Sequence, residues 1–235
     1  VAPVVVVFDF DGVIADTEGL HLRCYQDVLR ERGLELSAAD YYARYLGFDD
    51  EGVLRAFGAD HGQRFDQATI AAIVEAKTDR YQEVVSREDV LYPGAAESVR
   101  RIAAAVPVAI ASGALRAEIA VILERAGIAD LFRVIVAAGE TPRGKPAPDP
   151  YLRALELLRE HAAIPQSVAT IAGRSVAVED SMWGIRAARA AGMRCVAVTQ
   201  TYPADQLTEA DLVVGSLSAV GLDDLGRLAD RSRGV

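Results

Sequence analysis

The stretch VVVVFDFDGVIADTE, Val4 to Glu18, decides the fold. A run of β-branched apolar residues bounded by a glycine turn predicts a short strand buried on both faces, as in parallel sheets. Two acids, Asp9 and Asp11, close that run just before Gly12. Side chains two apart on a strand share a face. The pair would therefore meet at the edge of a dry core, where like charges repel unless a cation lies between them. A plain acidic turn would have the same composition. An EF-hand loop would not, because it needs D-x-[DN]-x-[DN]-G, and here the glycine comes fourth and Val13 fifth.

Working outward, strand-like runs recur at Val106 to Ala111, Val134 to Ala138, Val176 to Val178, Arg194 to Val198 and Leu212 to Val214. Helical patterns separate most of them: one comes after Ser112, and another runs from Ser181 through GIRAARAAG to Gly192, a C-cap glycine. Alternation of this kind predicts an α/β fold, a doubly wound, Rossmann-like parallel sheet. Thr17 to Arg87 breaks the alternation. TEGLHLRCYQDVLRERG, SAADYYARYLG, DDEGVLRAFG and DQATIAAIVEAKTDRYQEVVS read as four helices without a strand, and YPG at Tyr92 to Gly94 marks the return to the core. The expected organisation is a catalytic core of residues 1–16 and 88–235 with an all-helical cap domain of residues 17–87. Tyr42, Tyr45, Phe48 and Phe57 of that insertion read mainly as core.

A chain of 235 residues, half hydrophobic and a quarter charged, has the composition of a globular protein. Its net charge of -9 argues against nucleic-acid and anionic-membrane surfaces, which need a basic footprint, and favours small-molecule partners. Cys24 and Cys195 have neither zinc-like nor disulfide-framework spacing and read as reduced core residues. No stretch approaches the roughly 18 apolar residues of a membrane span. Asp9 interrupts the N-terminal run too early for a signal-peptide core. The expectation is a cytoplasmic protein, monomeric or a small homo-oligomer.

Open parallel sheets bind ligands outside the carboxyl ends of their strands, so the residues at those ends matter most. The first strand runs into Asp9 and Asp11. The second runs into Ser112 and Gly113 at the expected start of a helix, where free amides and the helix dipole favour an anion such as phosphate, although Ser112 alone also reads as an N-cap. The third precedes GETPRGKPAPDPY, which carries Lys145, one of only two lysines beside twenty-three arginines. A lysine suits a phosphate or an aspartate in a crowded site. The fourth runs into Glu179 and Asp180, a pair equally at home in a helix's first turn. Together, Asp9, Asp180 and a backbone carbonyl near Asp11 could share Mg²⁺, a hard cation that prefers oxygen ligands, and attract a phosphoryl group whose transfer needs positioning and charge neutralisation.

FDFDGVIADTE, IASG, GKPAPDPY and VAVEDSMWGIRAARAAGM, in that order and after those strands, resemble the four motifs of the haloacid dehalogenase superfamily of phosphotransferases. The helical insertion resembles the cap of the subfamily that holds β-phosphoglucomutase, phosphoglycolate phosphatase and CbbY-like sugar phosphatases. The resemblance implies a cytoplasmic Mg²⁺-dependent phosphatase acting on a small sugar or organic-acid phosphate. Asp9 would be the nucleophile that forms an aspartyl-phosphate. Asp11 would be the acid and then the base, a role that needs a pKa raised above the ordinary value of about 3.9 or timing set by cap closure. Ser112, the Gly113 amide and Lys145 would hold the phosphoryl group, and Asp9, Asp11, Glu179 and Asp180 would serve the metal. His21 and Lys77 fit positions in the cap that would meet substrate. The alternative is a β-phosphoglucomutase-like mutase, but the cap arginine expected to grip a second phosphate is replaced by Asp49 and Asp50, which would repel it. A phosphonatase would need Lys77 as a Schiff base, for which its place on the last cap helix is poor. An inactive binding module would normally have lost one of Asp9, Asp11, Lys145 or Asp180.

Overall fold

The structure, a computed structural model, describes residues 5–46, 48–161 and 166–230. Six strands form one parallel sheet in the order β3-β2-β1-β4-β5-β6. They are β1 (Val6–Phe8), β2 (Val108–Ala111), β3 (Phe132–Val136), β4 (Val176–Glu179), β5 (Arg194–Val198) and β6 (Leu212–Val214). The expected doubly wound α/β fold is present. β1 lies between β2 and β4, with Val7 opposite Ala109 on one side and Ala177 on the other. Every residue of β1, β2 and β4 is buried, which is why these strands read as continuous apolar runs rather than alternating ones.

Three strands start elsewhere than the sequence predicts, the first of them β1, which begins at Val6 with Val5 outside it. β2 begins at Val108, not Val106, because the Val106 amide still donates to Ile102 O in the turn that ends the preceding helix. β3 begins two residues early, where Phe132 pairs with Val108 and sets its ring edge-on against Phe8 at 6.2 Å. It also stops early, since the Ala137 amide donates to the Glu140 carboxylate instead of continuing the ladder. Val4 of the first expected strand lies outside the described residues.

The chain divides into two compact units, residues 1–16 with 90–235, and residues 17–89. The second unit holds four helical segments: α1 (Glu18–Arg30), α2 (Ala38–Asp40) running on into a π-helical turn at Tyr41–Tyr45, α3 (Asp50–Asp60) and α4 (Gln67–Val85). Acceptor side chains start three of them: Ser37 Oγ accepts from Asp40 N, Asp49 from Gly52 N and Asp66 from Thr69 N. Tyr25, Leu29, Tyr45, Leu54, Phe57, Ile70 and Ile73 form its core. Tyr45 and Phe57 are thus core as expected, whereas Tyr42 and Phe48 are exposed, at 39% and 55%.

In the sheet unit, the chain leaves and re-enters along adjacent backbone: Asp16 N donates to Val90 O at 2.7 Å and Tyr92 N to Ile14 O at 3.0 Å. The helices here are α5 (Ala95–Ala103), α6 (Arg116–Arg125), α7 (Asp149–His161), the short α8 (Val168–Ala172), α9 (Met182–Ala190) and α10 (Leu222–Asp230). Alanines at 109, 111, 177 and 197 keep one sheet face low, and Tyr151 and Leu155 of α7 and Ile185 of α9 pack onto it. Both cysteines are buried thiols, as expected. Among the described residues, no helix is long and apolar enough to cross a membrane.

Candidate active site

The carboxyl end of β1 delivers Asp9, whose amide still belongs to the sheet and donates to Val178 O at 2.9 Å. Beyond it the chain reverses through Gly12, at φ +74°. Only glycine fits that turn, because a Cβ there would stand 1.9 Å from Asp180 Oδ2. β4 delivers Glu179 and Asp180 alongside, both buried. Carboxylate oxygens of Asp9, Glu179 and Asp180 all lie within 4.8 Å of one another. Three oxygen donors so close in a buried place suit a hard divalent cation, and the crowding of Gly12 shows that the turn is shaped around the Asp180 carboxylate.

The counter-charge comes from the loop after β3. Lys145 Nζ stands 2.9 Å from Asp9 Oδ1 and 2.6 Å from Glu179 Oε1. Burial alone would lower the lysine's pKa, but the two carboxylates outweigh it and hold the ammonium protonated well above its ordinary range. Glu179 is fully buried; burial pushes its pKa up, Lys145 opposes, and the net direction is upward. Its Oε1 also accepts from Tyr151 Oη at 2.5 Å, while its Oε2 accepts from the Asp180 amide at 3.3 Å. The Tyr151 ring lies beneath Lys145, 5.2 Å from Nζ to centroid, and burial beside Glu179 holds its hydroxyl protonated. α9 closes the arrangement at Gly184, where a Cβ would collide with the Glu179 carboxyl at 1.9 Å. Ser181 caps that helix, as expected, by accepting from Gly184 N.

Ser112 follows β2, buried, with its amide donating to Val136 O and its Oγ accepting from Ala114 N at 3.0 Å; Gly113 beside it is exposed. The expectation that Ser112 opens a helix is corrected. α6 begins at Arg116 with Leu115 at its cap, because the Glu118 carboxylate captures the Leu115 amide and starts the helix three residues late. Asp11 lies in the same turn as Gly12, bridged through its backbone to Ala15.

The structure thus brings Asp9, Lys145, Glu179 and Asp180 together within the sheet unit. His21 and Lys77 belong to the helical unit and form a cluster of their own. The Lys77 side chain is 2% exposed, and its Nζ is 3.1 Å from Asp50 Oδ1, which also accepts from Tyr25 Oη at 2.5 Å. The ammonium lies between the Tyr25 and Tyr81 rings, and His21 stacks on Tyr81 at 4.5 Å. Burial, reinforced by Lys77, lowers the His21 pKa to about 3. Asp49, read from the sequence as an acid facing a second phosphate, is the N-cap of α3.

Sequence reasoning missed Tyr151, Gly184, Gln200 and Thr201. Gln200 Nε2 donates to Gly12 O at 2.7 Å and to Val13 O at 3.2 Å, tying the loop after β5 to the Asp9–Gly12 turn. Tyr151 reads from the sequence as a core residue at the start of a helix. The others sit in turn-like or small-residue composition that carries no signal.

Parallel strands that end in an aspartate, a lysine and an acidic pair define a class, and comparison with known proteins agrees: the chain belongs to the haloacid dehalogenase-like hydrolases, whose family model matches residues 6–198. The chain is an enzyme that acts on phosphate esters. It is 33% identical to the protein CbbY of Rhodobacter capsulatus over 94% of its own length and 97% of the relative's. It is 30% identical to the β-phosphoglucomutase of Bacillus subtilis over 93% and 92%. A crystal structure of a CbbY variant from Rhodobacter sphaeroides, in complex with xylulose-(1,5)-bisphosphate, superposes with a TM-score of 0.77 at 26% identity, covering 93% of this chain and 96% of that one.

Proposed function

We propose that this enzyme is a Mg²⁺-dependent phosphatase of small phosphorylated metabolites, sugar or organic-acid phosphates, working through an aspartyl-phosphate on Asp9. One observation carries the reading: Lys145 bridges Asp9 and Glu179 at the carboxyl edge of the sheet, with Asp180 beside them. An aspartate held this way has its carboxylate fixed in direction beside a cation, as a nucleophile must be. An Asp9 oxygen attacks phosphorus, the bond from phosphorus to the substrate oxygen breaks, and Asp11 gives that oxygen a proton. Water then attacks the phosphoryl group, Asp11 takes the water's proton, and the bond to Asp9 breaks to restore the carboxylate. Lys145 offsets the phosphoryl charge, and Ser112 with the Gly113 amide hold its oxygens. Asp9, Asp180 and the Asp11 backbone carbonyl would hold the cation, with Glu179 supporting from behind. When bound, Mg²⁺ supplies charge neutralisation at the phosphoryl oxygens.

In this reading residues 17–89 are the cap domain. Its buried Lys77 is already matched by Asp50, and this favours hydrolysis over a mutase that must grip a second phosphate between turnovers. The same pairing opposes a phosphonatase, which needs a lysine free to meet its substrate. The net charge of -9 supports small-molecule partners over nucleic acid or anionic membrane, a cytoplasmic place and a monomer or small homo-oligomer completing the proposal.

The test is phosphate release with Mg²⁺ from a panel that includes sugar monophosphates, organic-acid phosphates and, given the CbbY complex, xylulose 1,5-bisphosphate. Asp9→Asn should lower kcat by at least about a thousandfold with an unchanged circular dichroism spectrum; undiminished release by that variant would end the proposal. Isomerisation of β-glucose 1-phosphate with little release would assign the mutase instead.

A further inference from the structure

Thr201 comes directly after Gln200 in the loop beyond β5, and its Oγ is buried with no hydrogen-bond partner among the described residues. A buried hydroxyl without a partner is rare in native proteins and calls for an explanation, often a water or an ion. Its surroundings supply one. The point where a Gly12 Cβ would stand is 1.9 Å from Asp180 Oδ2 and 2.6 Å from Thr201 Oγ. Both oxygens thus face the Gly12 backbone beside the carboxylate cluster, yet no hydrogen bond joins them directly. The loop that carries Thr201 is pinned on both sides. Gln200 holds the Gly12 and Val13 carbonyls, and the Tyr202 ring meets Trp183 of α9 at 6.1 Å. A hydroxyl held so firmly next to a cation ligand is placed to receive a hydrogen bond from a third oxygen.

We infer that Thr201 is a positioning residue of the cation site: its Oγ accepts a hydrogen bond from a water of the bound Mg²⁺ and so fixes that water against Asp180. Groups one step out from a metal orient its ligands, and their loss typically weakens binding by about 10–100-fold. Mg²⁺ retains several waters in protein sites, so such a partner is chemically required somewhere around it. The inference rests on the reading of Asp180 as a cation ligand.

Calorimetric titration of the full chain with Mg²⁺ alone, without substrate, tests it on wild type, Thr201→Val and Thr201→Ser. Valine keeps the shape and removes the acceptor. The expected result is Mg²⁺ binding about tenfold weaker in T201V and near wild type in T201S. The melting temperature of cation-free T201V should be equal or higher, because a methyl replaces an unpartnered hydroxyl. Wild-type Mg²⁺ affinity in T201V overturns the inference, as does a lower cation-free melting temperature with affinity retained, which would make the hydroxyl structural. Failure of wild type itself to bind Mg²⁺ would instead overturn the reading of the cluster as a cation site. Thr201→Ala, which leaves space rather than filling it, decides the same question if valine does not pack.

Discussion

A hydroxyl that donates to a fully buried carboxylate is worth more than one at the surface, since nothing else in a dry site can replace it. Tyr151 is such a donor, and its ring also supports the Lys145 ammonium. Tyr151→Phe keeps the ring and removes only the donor, leaving Glu179 Oε1 to Lys145. The expected outcome is a loss of about 2 kcal/mol in urea unfolding, together with a fall in kcat larger than any change in KM. Equal stability and kinetics would show that Glu179 needs only the lysine. Asp9, Glu179 and Asp180 stood out because charged residues at the ends of apolar strands conflict with burial, and Lys145 because it is one of only two lysines. Tyr151 created no such conflict, since a tyrosine at the start of a helix reads as ordinary core. Thr201 was hidden in the same way, a hydroxyl in a loop of turn residues.

Elements were legible where one signal dominated. β5 and β6 span the residues that the sequence predicts, Arg194–Val198 and Leu212–Val214. β3 shifted because Phe132 gains a pairing partner and an aromatic contact that no local pattern reveals. α6 started late because its cap is made by Glu118 reaching back, and not by the serine that precedes it. Asp49 teaches the converse lesson: an acid that looked functional from its place in a family pattern spends its carboxylate on the Gly52 amide. Asp49→Ala should therefore cost about 1 kcal/mol of stability and leave kcat and KM for a monophosphate unchanged. A gain of affinity for bisphosphates in that variant would restore the view of Asp49 as an electrostatic barrier.

At the scale of the whole molecule, the two units should answer acid differently. His21 stacks on Tyr81 with Lys77 and Asp50 nearby, and its pKa falls from 6.5 to about 3 on folding. Between those values the unfolded chain binds a proton that the native ring refuses, so stability declines as the pH drops through that window. One pKa unit is worth about 1.4 kcal/mol, so the full loss across the window is on the order of 5 kcal/mol. Hydrogen exchange should show residues 17–89 losing protection progressively below pH 6.5, and His21→Gln should remove most of that slope; an unchanged slope in the variant would place the acid sensitivity elsewhere. The adjacency of Asp16 and Val90 has a different kind of consequence. The polypeptide departs and returns through neighbouring main chains, so the sheet's register is indifferent to how long the excursion is or what it is made of. Lineages could lengthen, shorten or exchange that segment while inheriting the strand ends intact, which makes the insertion the natural place for descendants of one ancestor to vary in length.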